Sequence, residues 1–247
     1  MIVYKSPNEI KKIRAAGAIV HQTLRTLFEN LKPGMTTLEL DRIAEEFIRS
    51  HDAAPSFKGY NGFPGSICVS IDNEVVHGIP GSRRFEEGQI VGIDVGVYKD
   101  GYHGDAAWTY AIGEIDSDTQ KLMEVGQECL KRGISKAVAG NHLGDIGEAI
   151  QSYAEANCFS VVRDLVGHGI GKKLHEEPQV PHYGKANTGI ELKKGLVIAI
   201  EPMINAGVFR VNMLSDNWTI VTGDGKRSVH FEHTIAVTDN GPMILTV

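Results

Sequence analysis

Two parts of this chain repeat each other. KPGMTTLELDRIAEEF (32–47) aligns with VAGNHLGDIGEAIQSY (138–153) at an offset of 106, pairing Gly34 with Gly140, Leu40 with Ile146 and Phe47 with Tyr153. Further on, GQIVGID (88–94) aligns with GLVIAIE (195–201) at an offset of 107. Two nearly equal offsets in successive segments imply an internal duplication of about 100 residues. A chain built this way folds as two like halves, about 1–115 and 116–247. The second alignment also sets Asp94 opposite Glu201, and a central acid is rare in a strand.

Each repeat opens with helices. Ser6 can cap and Pro7 fits the first position of a helix over residues 7–30, with Ile10, Ile13, Gly17 and Val20 at helical spacing. TTLELDRIAEEFIRS reads as a second helix, with Leu40, Ile43, Ala44 and Phe47 on one face. TQKLMEVGQECLKRGISKAV and GDIGEAIQSYAEAN repeat the pair.

Strands carrying acids follow. In VGIDVGV, Val91, Ile93, Val95 and Val97 share one face, and Gly92, Asp94 and Gly96 the other. In 196–201, Leu196, Ile198 and Ile200 oppose Val197, Ala199 and Glu201. YHGDAAWTY aligns His103, Asp105, Ala107 and Thr109; VHFEHTIAV aligns His230, Glu232, Thr234 and Ala236. Each half thus offers two strand acids beside a bulky face suited to helix packing. Glycine weakens a strand interior unless something approaches closely, so Gly92 and Gly96 are expected to keep Asp94's face open.

One such acid is ordinarily solvated or ion-paired. Four on matched strands are harder to place, because no Lys or Arg lies within 90–97 or 195–205. Converged carboxylates would repel strongly in a low-dielectric site, and two divalent cations would balance their charge. An imidazole would widen the choice of metal. His168, between Gly167 and Gly169 in VGHGIGKKLHEEPQVPHY, is a candidate, as are His175 and His77.

Other chemistries find no support. GHGIGKK lacks the spacing of a phosphate loop, and neither a G-x-S-x-G elbow nor an HExxH zinc motif occurs. A net charge of −6 without a Lys/Arg block argues against nucleic-acid binding. Three cysteines without CxxC spacing give no disulfide framework. No signal peptide or membrane-length apolar run is visible, so a cytoplasmic setting is expected.

With GYNGFPGSICVSIDNEVVHGIP, VGIDVGVYKDGYHGDAAW, VGHGIGKKLHEEPQVPHY, IAIEPMINAG and FEHTIAVTDNGPMILT in place, the chain resembles the type I methionine aminopeptidases along nearly its whole length. The resemblance implies an α+β pita-bread fold: a pseudo-twofold duplicated antiparallel sheet with helices on its outer face, 1–247 forming a single catalytic domain. It implies two divalent metal ions (Co, Mn, Fe or Zn) on Asp94, Asp105, His168, Glu201 and Glu232, with Asp105 and Glu232 bridging. His77, His175 and Glu201 would be catalytic. Tyr60, Phe63, Cys68, His77, Leu174, His175 and Trp218 would bind substrate. The implied activity is removal of the N-terminal methionine from nascent polypeptides whose second residue is small, by a monomer with transient ribosome association and no membrane contact. Ala106, Ala107, Phe63, Leu174 and Leu165 depart from common family choices. The rivals are an Xaa-Pro dipeptidase or aminopeptidase P-like hydrolase, and a non-catalytic binding protein of the same fold.

Overall fold

The computed structural model describes residues 1–247. Its elements run in two like series. The first holds α1 (Pro7–Asn30), α2 (Thr37–Ser50), β1 (Ala54–Pro55), β2 (Cys68–Ile71), β3 (Glu74–Val76), β4 (Ile90–Lys99) and β5 (Tyr102–Ala111). The second holds α3 (Ser117–Lys136), α4 (Leu143–Ala156), β6 (Ser160–Val161), β7 (Gly167–Gly169), β8 (Glu176–Val180), β9 (Val197–Ile200), β10 (Met203–Asn205), β11 (Val211–Met213), β12 (Ile220–Thr222), β13 (Ser228–His230), β14 (His233–Thr238) and β15 (Gly241–Ile244).

Local chemistry starts these helices where the sequence predicts. Ser6 and Glu9 form a capping box on α1, with Pro7 at the first helical position, and Thr36 and Glu39 do the same for α2. On α4, the Asp145 carboxylate accepts the His142 N–H at 2.6 Å. The duplication persists in detail. Helices α2 and α4 are both 14 residues long and begin 106 residues apart, at Thr37 and Leu143. The turn before each needs a left-handed residue, Gly34 (φ 85°) and Gly140 (φ 92°). Gly34 N–H donates to Phe85 O, and Gly140 N–H to Leu192 O. Ala54 pairs with Tyr98 in the first half, and Ser160 with Asn205 in the second.

The bulky strand faces bury against the helices. Val91, Ile93, Val95 and Val97 pack with Val20, Leu24, Leu40 and Ala44 of α1 and α2. Leu196, Ile198 and Ile200 pack with Leu122, Val125, Ile146 and Ile150 of α3 and α4. Full burial of such side chains contributes roughly 1.5–3 kcal/mol each. Helices thereby cover one side of the strands and leave the acid-bearing side for the site. All strand pairings are antiparallel, but the ladders form four sheets rather than one. Hydrogen bonds join the halves: Glu232 N–H donates to Ala107 O (2.8 Å), and the Thr234 and Thr109 hydroxyls donate to Asp105 O (2.7 Å) and His230 O (2.9 Å).

Three expectations need correction. VHFEHTIAV is not one strand: the ladder breaks at Phe231–Glu232, between β13 and β14. Glu201 likewise lies just past β9, before Pro202, whose ring nitrogen has no N–H for a ladder. The acids are also not matched two against two. Gly96 faces Asp105, and its counterpart Met203 faces His230. Ile93 faces Trp108, and its counterpart Ile200 faces His233. Asp105 therefore corresponds to His230, and Glu232 to Ala107. Finally, Gly96 does not open the face. A Cβ there would sit 2.7 Å from the Phe57 ring and 2.8 Å from Ser56 Cβ, so that space is filled by the chain after β1. At Gly92 a Cβ would make only ordinary contacts, the nearest at 3.7 Å.

Candidate metal centre and active site

Five side chains from separate elements meet beside the seam between the halves. Asp94 lies mid-β4 and Asp105 mid-β5; His168 is the centre of β7; Glu201 follows β9 and Glu232 precedes β14. The glycines around His168 let its short strand wedge between neighbours. A Cβ on Gly167 would lie 2.4 Å from Ala199 O, and one on Gly169 2.3 Å from Glu177 O.

Ligand atoms of Asp105, His168 and Glu232 lie within 4.8 Å of one another. His168 Nε2 is 3.8 Å from Asp105 Oδ2 and 3.5 Å from Glu201 Oε1. Asp94 joins the group through Asp105, whose carboxyl it helps to push up. The His168 Nδ1 N–H donates to Gly169 O at 2.9 Å, which leaves the Nε2 lone pair facing the acids.

This cluster is electrostatically costly as protein alone. Burial pushes the Asp94 carboxyl up to about 7. Burial pushes Asp105, Glu201 and Glu232 well above the usual carboxylate range, and neighbouring carboxylates push each further. Burial lowers His168 to about 3, so its ring is neutral and balances no charge. No Lys or Arg pairs with any of the four acids; their only ion-pair-range neighbours are histidines. Asp94 Oδ1, Asp105 Oδ1 and Glu232 Oε1 are buried without a hydrogen-bond partner. Native proteins rarely leave such atoms orphaned. Oxygen donors with one free imidazole nitrogen fit a divalent cation.

A cavity of about 280 Å³ opens over the cluster. All twelve residues singled out in the sequence line it: the five above with Tyr60, Phe63, Cys68, His77, Leu174, His175 and Trp218. Phe63, Cys68 and Leu174 are buried, and Phe63 meets Trp218 edge-on at 5.1 Å. The Tyr60 hydroxyl and His175 Nδ1 are 2.7 Å apart, and the His175 ring meets His168 edge-on at 4.2 Å. His77 takes a left-handed backbone (φ 61°) directly after β3, and burial, then His175, lowers it to about 4.

The sequence reading did not single out two histidines behind this wall. His182 is fully buried, and its Nε2 accepts the Glu201 backbone N–H at 3.1 Å. His230 is buried with Nε2 3.7 Å from Glu201 Oε2. The available signal was His230's position on the face shared with Glu232, two residues on.

Comparison with known proteins identifies the family. The model of metallopeptidase family M24 matches residues 11–239, and the chain belongs to that family. Within it, the chain groups with the methionine aminopeptidases. It is 56% identical to methionine aminopeptidase 1 of Bacillus subtilis, over 100% of this chain and 99% of the relative. The crystal structure of the Thermotoga maritima methionine aminopeptidase superposes with a TM-score of 0.98 at 45% identity, over 100% of this chain and 99% of that one. The prolidase of Pyrococcus horikoshii shares the fold alone: TM-score 0.79 at 23% identity, with 64% of its chain covered. The α+β pita-bread fold is thereby established.

Proposed function

We propose that this chain is a metallo-exopeptidase that removes the N-terminal methionine from polypeptides with a small second residue, and that residues 1–247 act as one catalytic unit. The observation that carries this is the meeting of Asp94, Asp105, His168, Glu201 and Glu232 under a cavity also lined by Phe63, Cys68, Leu174 and Trp218. Those five residues would hold two divalent cations, which would supply Lewis acidity at the scissile carbonyl and activate water at neutral pH. Ligands come from both halves, so neither half suffices alone.

The protein's own groups supply the rest. Phe63, Cys68, Leu174 and Trp218 suit an unbranched, polarizable thioether. At about 280 Å³ the cavity falls just below the usual range for small-molecule pockets, which fits one terminal residue and not an internal stretch of chain. A neighbouring groove shares Val166, His168 and His175 with it and offers the remaining polypeptide a way out. Glu201 takes a proton from the attacking water and delivers it to the leaving amine. With the Tyr60 hydroxyl donating to Nδ1, His175 keeps its N–H at Nε2 for the developing oxyanion. His77, neutral at pH 7, contacts the amide after the scissile bond.

The test compares Met-Gly-Met with an Xaa-Pro peptide, using protein stripped of metal and reloaded with Mn, Fe, Co or Zn in turn. Methionine release that depends on added metal is expected. Preference for the Xaa-Pro peptide, or full activity without metal, overturns the reading. No helix is long and apolar enough to cross a membrane.

A further inference from the structure

We propose that His230 is a positioning residue for Glu201, its Nε2–H holding Glu201 Oε2 so that Oε1 is presented to the metal centre. The inference rests on the reading of Glu201 as ligand and base.

Three observations carry it. First, His230 is 4% exposed, and its Nε2 is a buried polar atom with no hydrogen-bond partner. An orphaned ring nitrogen in a packed interior destabilises the protein unless it serves something. Second, that atom lies 3.7 Å from Glu201 Oε2, while Glu201 Oε1 lies 3.5 Å from His168 Nε2. The carboxylate's two oxygens are thus divided, one toward the other ligands and one toward His230. His182 holds the backbone end of the same residue through the Glu201 N–H. Third, strand register makes His230 the counterpart of Asp105, since Met203 faces His230 as Gly96 faces Asp105. An acid at 230 would add a fifth carboxylate to a cluster already lacking cationic partners. Histidine supplies a donor there, and a carboxylate accepting a hydrogen bond keeps its charge and orientation for a cation. His230 does not line the cavity, so it acts through Glu201 and not on substrate.

The experiment uses the full chain with His230→Ala, His230→Gln and His230→Asn. Each is stripped with EDTA and titrated with Mn²⁺ by calorimetry. Thermal melts of the metal-free proteins and kcat and KM on Met-Gly-Met accompany the titrations. His230→Ala should bind Mn²⁺ about 10–100-fold more weakly. Its metal-free melting temperature should fall only by the packing lost with the buried ring, whereas His230→Gln and His230→Asn keep most of that volume and should melt close to wild type. His230→Gln carries an N–H near the Nε2 position and should recover Mn²⁺ affinity; His230→Asn, one carbon shorter, should not. Wild-type Mn²⁺ affinity in His230→Ala, or equal losses in the Gln and Asn variants, overturns the proposal. So does a fall in the melting temperature of metal-free His230→Asn that accounts for its lost affinity, because packing would then be the role. Should His230→Ala fail to fold, the Gln–Asn contrast decides. Wild-type protein that binds Mn²⁺ but releases no methionine would refute the assigned function and leave the calorimetric comparison intact.

Discussion

Asp94→Asn should stabilise the metal-free protein and sharply reduce the benefit of metal. Burial raises the Asp94 carboxyl from 3.8 to about 7 in the folded chain. Across that window the native state keeps a proton that the unfolded chain has released. Because the native state binds more protons, stability falls as pH rises, by about 1.4 kcal/mol per pH unit for one group. Three units amount to at most about 4 kcal/mol, fully lost above pH 7. Asp105, Glu201 and Glu232 are raised for the same reason and push the same way. Asparagine keeps the shape and cannot ionise. In EDTA at pH 7.5 the variant should therefore exceed wild type by up to about 4 kcal/mol, and at pH 4 the two should converge. A cation at a hundred times its Kd should return roughly 2.7 kcal/mol to wild type and much less to the variant. Urea denaturation at both pH values, with EDTA or with Mn²⁺, measures all of this. Metal-free wild type equally stable at pH 4 and 7.5, with no gain in Asp94→Asn, would refute the claim that crowded, unpaired acids define this site.

Other perturbations separate the roles. Glu201→Gln should lower kcat on a methionyl tripeptide by roughly 10²–10⁴-fold, and near-wild-type turnover would remove Glu201 as the base. His175→Ala should lower kcat by roughly 10²–10³-fold while metal content by elemental analysis is unchanged; loss of metal would make His175 a ligand. Arg227 binds Asp72 (3.1 Å), Asp116 (2.8 Å) and Gly88 O (2.8 Å) on one edge of the molecule, away from the cavity. Arg227→Ala should cost about 1–2 kcal/mol in urea denaturation, reduced from a buried value by its partial exposure, and leave kcat unchanged.

The helices and faces were legible in the sequence because their causes are local. Ser6–Glu9 and Thr36–Glu39 announce two helix starts, and the alternation around Asp94 and Glu201 sorts core side from site side. The candidate site residues came from resemblance, and the structure brings all twelve to one cavity. Register was not legible, because it depends on which residues face each other across a ladder. The correspondence of Asp105 with His230 emerges only from comparing two ladders, Gly96 facing Asp105 and Met203 facing His230, and the break at Phe231–Glu232 goes with a Glu232 N–H that reaches across to Ala107 O in the other half. His182 escaped for a related reason: its partner is the backbone N–H of a residue 19 positions on.

These misreadings share a location, and that bears on how the site is built. Where the halves remain alike, at Asp94 and Glu201, the duplication supplies one acid to each side. The ladder nonetheless gives way beside both acids of the second half. Glu201 and Glu232 both sit at strand ends, whereas Asp94 and Asp105 sit inside continuous strands. A side chain at a strand end is freed from strict alternation, so an acid there can turn toward the first half's pair. Ala107, the counterpart of Glu232, stays in its ladder opposite Asp94, and its carbonyl receives the Glu232 N–H. The second half thus breaks its ladder at two points, with a carboxylate beside each break. A repair of the break, as in Pro202→Val, should lengthen β9 toward Glu201 and weaken Mn²⁺ binding without loss of metal-free stability. Calorimetry and urea denaturation of that variant check the point, and unchanged Mn²⁺ affinity would show that the broken ladder is incidental to the site.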